Sequence, residues 1–359
     1  MVSVTHLATI LAAGAVEGYV MARSGLPFPK AVKDQMDFTS NIILKVFLSA
    51  VGFSMTFQSA LSIIAPQKWE WSRGYRSFDW GFARVCGGCV LTGCGMTLAG
   101  SGPTLLPTQL ATSVSSAWYI LAGSVVGGMV FDLAERWKVI DDKQGAPPPP
   151  TITAASAAPK TIVEDYVGGK YHHFALPAGL MLIAAAAGLN HKLPNAQDLT
   201  RLDVNAASFI PFSPLLVGAV VGLNQIPMRL ISECGQGGSR SVMNVIGTCT
   251  NGFACKRFQV HGSGDAWQLV FVWGGTLIGA IAGRYCSPGF VPADGGSNLA
   301  AFVGGAVILF GSRLAGGCTC GHGVTGMSEL NVQSIAGAMS IFGGGIATRL
   351  ALNFFGVSL

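Results

Sequence analysis

The sequence predicts an all-α membrane protein with eight or nine transmembrane helices, short re-entrant or broken helices, and two pseudo-symmetric halves. Three observations predict it. Half of the 359 residues are hydrophobic and 11% are charged, against roughly 25% charged in an ordinary soluble domain. Apolar stretches long enough to cross a ~30 Å hydrocarbon core as helix recur along the chain. One segment is spelled twice: Gly88, Gly95, Leu98, Ala99 and Gly100 fall on Gly304, Gly311, Leu314, Ala315 and Gly316 under one ungapped shift of 216 residues. The same register carries Ala122, Ser124, Gly127 and Gly128 onto Ala338, Ser340, Gly343 and Gly344. A β-barrel is disfavoured, because barrels need alternating segments of about 10 residues and no convincing alternation accompanies the 49 glycines.

The first span, near 4–22, has no Lys or Arg before it, so it is expected to stay as a helix and not to act as a signal peptide. Its Gly14-Ala15-Val16 and Gly18 recur as Gly218-Ala219-Val220 and Gly222, a shift of 204 residues. Spans near 41–65, 80–100 and 114–134 complete an N-terminal half, 1–137. Residues 138–172 read as a linker: Pro147 to Pro150 favour extended polyproline geometry, and the Ala/Ser/Thr run after them has nothing to bury. The C-terminal half, 173–359, holds spans near 173–189, 211–231, 266–284, 298–317 and 332–357. Net charge is +5, but the basic residues are spread over successive loops. They give no asymmetry from which to assign orientation, and no nucleic-acid partner is expected.

Three segments are poor helix interiors: Gly100-Ser101-Gly102-Pro103, Gly316 to Gly323, and Glu233 to Arg240. Irregular backbone at membrane depth persists only where it is buried in protein or lines a wet cavity. The first two are therefore expected to face each other at the centre, with the third as a further wall. Duplicated halves with broken helices at matching positions place a transporter's site between the halves.

Gly317-Cys318-Thr319-Cys320-Gly321-His322-Gly323 is the densest constellation. Its glycines let backbone N–H groups approach a ligand, a following helix start would aim further N–H groups at an anion, and the thiols add soft sulfur contacts. Three readings stand beside one another here: a substrate pathway, a purely structural glycine break, and a metal site, for which Cys-x-Cys-x-His is short of ligands. Under the 216 shift Gly102 stands where Cys318 does, so the first half keeps the break and loses the thiol. Cys86 and Cys89 spell a redox-like pair, but thiols of that kind work at an exposed helix start. The nine cysteines, odd in number and mostly in apolar segments, argue against a disulfide framework. Glu17, Lys45, Arg84, Arg229 and Arg313 are ionisable residues inside apolar runs, a placement that is costly and commonly functional. Arg313, five residues before Cys318, either snorkels to the interface or supplies positive potential to an anion pathway.

The run from Gly311 to Gly326 resembles the signature of the YeeE/YedE family of sulfur-transport membrane proteins, and Gly18 to Gly25 and Gly93 to Thr104 extend the resemblance to both halves. The resemblance implies thiosulfate uptake through a narrow waist between two halves, with cysteines that hand the anion along by S–H···S contacts. Cys318 matches the family's second-half cysteine. The first-half one falls on Gly102, and the N-terminal one has no match around Leu26-Pro27, which leaves Cys94, Cys234 or Cys320 as substitutes.

The expectation is a permease, not an enzyme, for a small sulfur-containing anion, thiosulfate first, in the cell membrane, with no cofactor and with a soluble sulfur-carrier protein as a further partner. Its pathway residues would be Cys318, Cys320, His322, Cys94, Ser101, Gly102, Cys234, Gly316, Gly317 and Arg313. The competing classes are a membrane thiol enzyme, either a sulfurtransferase or a disulfide exchanger, and a channel or scaffold for a sulfur-handling partner.

Overall fold

Nine helices among the described residues are long and apolar enough to cross a bilayer, and the chain repeats one motif four times: a long helix, a break, a short helix, a long helix. The computed structural model describes residues 4–73, 79–137, 139, 160–201, 211–232, 235–259, 263–287 and 295–357. The first motif is α1 (Val4–Ala22), α2 (Pro29–Met36) and α3 (Ile42–Ile64); a short α4 (Pro66–Ser72) follows. The second is α5 (Phe82–Ala99), α6 (Leu105–Ala111) and α7 (Ala117–Arg136). After α8 (Val163–Val167), α9 (Tyr171–Lys192) and α10 (Asn195–Arg201), the third comprises α11 (Pro214–Ser232), α12 (Gly238–Cys249) and a long helix. That helix runs as α13 (Ser263–Leu269), a π-helical stretch Val270–Thr276, and α14 (Leu277–Tyr285). The fourth is α15 (Asn298–Ala315), a π-helical segment Thr319–Gly326 and α16 (Val332–Phe354). Among the described residues the only β pairing is the lone bridge Ile162–Asn331.

The exterior is apolar and the interior mixed, as a lipid solvent requires. Ile64, Leu299 and Phe354 are 82%, 72% and 84% exposed, whereas Lys45, Gln58, Arg229 and Glu329 are fully buried. Two fully buried cations are paired, because an isolated charge would cost several kcal/mol: Lys45 Nζ lies 2.6 Å from Asp198 and Arg229 Nη1 2.6 Å from Glu329. Arg84 instead donates to Leu314 O at 3.0 Å and lies over the Trp80 ring.

The duplicated glycines are the seam. A Cβ at Gly95 would stand 2.7 Å from Gly304 O, and one at Gly304 2.7 Å from Gly95 O. Gly88 and Gly311 meet the same way, each 2.7 Å from the other's carbonyl oxygen. Gly88 thus meets the counterpart of Gly95, and Gly95 the counterpart of Gly88, in antiparallel order: the reciprocal contact of a local two-fold relation. Small residues permit such backbone approach where no hydrophobic effect drives helices together. The second echo behaves alike: Gly14 packs on the Val270–Thr276 stretch, and Gly218 and Gly222 pack on α3. The ninth spanning helix, α9, precedes the repeated unit and packs against α3.

Candidate functional site

Each break begins where a helix cannot continue. Gly100 and Gly316, equivalent under the 216 shift, cap α5 and α15 in the left-handed conformation with φ of 63° and 80°, which glycine adopts without the Cβ penalty. Residues Arg23–Phe28 form the break of the first motif, one that the sequence reading did not mark. The four breaks are tied together. Gln109 Nε2 of α6 donates to Pro27 O of the first at 3.1 Å and to Gly100 O of the second at 2.9 Å. Gly238 seats against Pro103 and Thr104. In the third break, Gln268 takes up Gly235 O at 2.6 Å and Gly237 N at 3.0 Å.

The second and fourth breaks meet at a polar contact: Thr104 Oγ1 lies 2.9 Å from Cys320 Sγ. Thr104 and Cys320 are themselves related by the 216 shift, and equivalent residues touch only at the axis that relates them. Cys320 lies beside the thiol of Cys318. Cys318 is fully buried, with the backbone N–H groups of Cys320, Gly321 and Ser239 close to its sulfur. Ser239 belongs to the first turn of α12, so two helical starts converge near this sulfur.

Above this contact lies a cavity of about 110 Å³, lined by residues of the first, second and fourth motifs and by Val221 of the third. A water needs at least about 10–15 Å³ in this measure, so the space takes several waters or one small oxyanion. Its walls are mostly apolar, with Met21, Met96, Phe47 and Phe342 among them; its polar side chains are Glu17, Thr104, Thr319 and Cys320. Among the described lining residues there is no Lys, Arg or His.

The sequence-predicted residues distribute as follows. Cys320 and Gly102 line the cavity, and a Cβ on Gly102 would meet Thr319 Oγ1 at an ordinary 3.7 Å. Cys318 and Ser101 are buried beside it, and Gly316 and Gly317 form the turn, with Gly316 under the Trp80 ring. Three residues lie elsewhere. His322 is buried outside the lining, Nε2 bonded to Ala315 O at 3.0 Å and Nδ1 to Ser334 Oγ at 3.0 Å; it is a strut between α15 and α16. Cys94 points its sulfur at Gly344 O of α16, 3.6 Å away. Arg313 holds its guanidinium 5.1 Å from the Phe258 ring centre, away from the cavity. Cys234 falls outside the described residues.

Sequence reasoning missed Thr104, which the repeat pairs with Cys320, and left Glu17 without a role. Glu17 is 3% exposed, and its Oε2 accepts from Asn224 Nδ2 at 2.9 Å and Gln236 Nε2 at 2.7 Å. The signal was an ionisable residue within an apolar run.

The family model described as Sulphur transport matches residues 23–347 of the 359, from the first break into α16. No curated protein matches the chain. With nine apolar helices and a match across both repeats, the chain belongs to the YeeE/YedE sulphur transport family of integral membrane proteins.

Proposed function

We propose that this protein is a permease of the cell membrane that passes a small sulfur-containing anion, thiosulfate first, through the cavity and past the Thr104–Cys320 contact. One observation carries the reading: Cys320 lines the cavity at the start of the Thr319–Gly326 helical segment, with Cys318 buried beside it, and the described walls hold no cation. Backbone dipoles favour an anion without fixing it as an Arg would, and conduction requires a site that is entered readily and left readily. The thiols and Thr104 supply donors, and sulfur donors match an anion that presents a terminal sulfur. Glycine breaks keep the approach free of side chains. In this reading the cysteines are contacts and undergo no redox cycle, and a soluble sulfur-carrier protein receives the anion on the far side.

The test is uptake of radiolabelled thiosulfate, sulfite and sulfate into proteoliposomes, with the thiols analysed afterwards. Thiosulfate uptake that exceeds sulfate uptake, with Cys318 and Cys320 chemically unchanged, is the expected result. A persulfide or disulfide on Cys318 that accumulates during turnover would replace the permease with a membrane thiol enzyme.

A further inference from the structure

Glu17 stands in the proposed anion path as the one carboxylate among the described residues lining the cavity. The cavity is small, about 110 Å³, and like charges held close together disfavour one another's ionisation. An anion and an ionised Glu17 therefore oppose each other in this space, with no cationic side chain in the described lining to compensate.

We propose that Glu17 takes up a proton as the anion enters, so that the protein is a proton–anion symporter. The inference rests on the anion-transport reading above. Three observations support it. First, the carboxylate is unpaired by charge: its partners are the neutral amides of Asn224 and Gln236, whereas buried Lys45 and Arg229 each hold a carboxylate. Second, the surroundings accommodate both protonation states. Gln236 is 2% exposed and its Oε1 has no hydrogen-bond partner; rotating this amide by half a turn offers that oxygen to a protonated carboxyl. Asn224 stays fixed by its second bond, to Ala13 O at 3.0 Å. Third, the repeat places Val221 opposite Glu17, and both line the cavity, so the path carries one carboxylate and not a symmetric pair.

Among the described residues no ion pair to Glu17 forms. Helix α1 packs on α6, α11, α14 and the π-helical stretch Val270–Thr276. On α11, Arg229 is committed to Glu329. At the end of α14, Arg284 is bonded to Ala111 O and Ser113, and Tyr285 is 82% exposed. Just after α1, Arg23 bonds the Tyr19 hydroxyl and stacks on Phe212. The segments Val270–Thr276 and α6 bring no ionisable side chain, and Cys320 is the titratable group across the cavity. The step makes and breaks only an O–H bond: a proton from water on the entry side binds a Glu17 oxygen, travels with the loaded state, and returns to water on the exit side.

The experiment uses the full chain in weakly buffered proteoliposomes with a pH-sensitive dye trapped inside, the membrane potential clamped, and ³⁵S-thiosulfate outside. Tracer and dye are read together. The expected result is internal acidification in proportion to tracer uptake, with uptake at low substrate rising toward tenfold per unit of external acidification above the carboxyl's titration range, the limit for one linked proton. Glu17→Gln should abolish the dye response and flatten the pH profile. Tracer uptake without acidification in the wild type, or acidification that survives Glu17→Gln, overturns the proposal. The wild-type measurement decides the matter even where the variant does not fold. Absence of tracer uptake at every pH fails the transport reading itself, and the tracer channel separates that failure from loss of coupling alone.

Discussion

Removing one member of the Arg229–Glu329 pair should harm this protein more than removing both. The two side chains are 0% and 1% exposed, with 2.6 Å between nitrogen and oxygen. At an effective dielectric of about 20 that separation corresponds to roughly 6 kcal/mol of attraction. Beyond the pair, Arg229 makes long contacts, 3.5 Å to Ser72 O and 3.4 Å to Thr325 O, and lies 5.6 Å from the Trp69 ring centre. Glu329→Leu would leave a buried, poorly solvated guanidinium, at a cost of about 3–5 kcal/mol, and Arg229→Met would leave the buried Glu329 carboxylate without its 2.6 Å partner, with Arg73 still nearby. The double variant replaces charge by apolar volume, an exchange that is often neutral or stabilising. An unfolding entropy of about 2.1 cal/mol/K per residue over 359 residues makes each kcal/mol worth about 1.3 °C. Each single variant should then lose on the order of 4–7 °C in Tm, measured by size-exclusion chromatography after heating in detergent, and the double variant less than either. A double variant that loses the sum of the two singles would refute the pairing argument. Because Glu329 closes the fourth motif's π-helical segment against α11, uptake should fall in the same order as stability.

Three further outcomes follow from the same geometry. Cys318→Ala should abolish or strongly reduce uptake in folded protein, while Cys286→Ala, at an exposed loop position, should leave uptake near normal; equal uptake by the two removes Cys318 from the path. Gly95→Ala would force a methyl within 2.6–2.8 Å of α15, so it should cost about 1–3 kcal/mol of stability without preventing membrane insertion, measured by thermal melting in detergent. Shortening 144–158 by a few residues should leave uptake close to normal, since loop length changes closure entropy by only about 0.6 kcal/mol per doubling; loss of uptake in inserted, folded protein would assign this linker a gating or docking role.

Much of the fold was legible because the bilayer turns it into a one-dimensional property. Nine apolar runs read near 4–22 through 332–357 correspond to the nine candidate spans from Val4–Ala22 to Val332–Phe354. The repeat carried more than topology: Gly88, Gly95, Gly304 and Gly311 recur because they are the two sides of one reciprocal contact. The same shift pairs Thr104 with Cys320, and their contact marks the axis. The first break escaped notice because Arg23–Phe28 is spelled with prolines beside it and reads as an ordinary loop, which hides the short α2. The site was less legible. Spacing along Cys318-Thr319-Cys320-Gly321-His322 does not say which side of a π-helical segment faces the cavity, and packing against Ser334 and Ala315 turns His322 away. Arg313 and Cys94 are likewise claimed by Phe258 and by α16. Glu17 was conspicuous as a charge in an apolar run, but only the third dimension sets it across from Cys320.

The most direct test of the central claim, that the anion passes where Thr104 meets Cys320, is a reversible staple at that point. With 2.9 Å between Thr104 Oγ1 and Cys320 Sγ, Thr104→Cys brings a second thiol close to the ~2.0 Å S–S bond length. The variant is reconstituted, oxidised, and assayed for radiolabelled thiosulfate uptake before and after reduction, beside wild-type protein treated identically. The account predicts that uptake stops in proportion to cross-linked protein, returns on reduction, and is spared in the wild type. Complete cross-linking with uptake intact would contradict it.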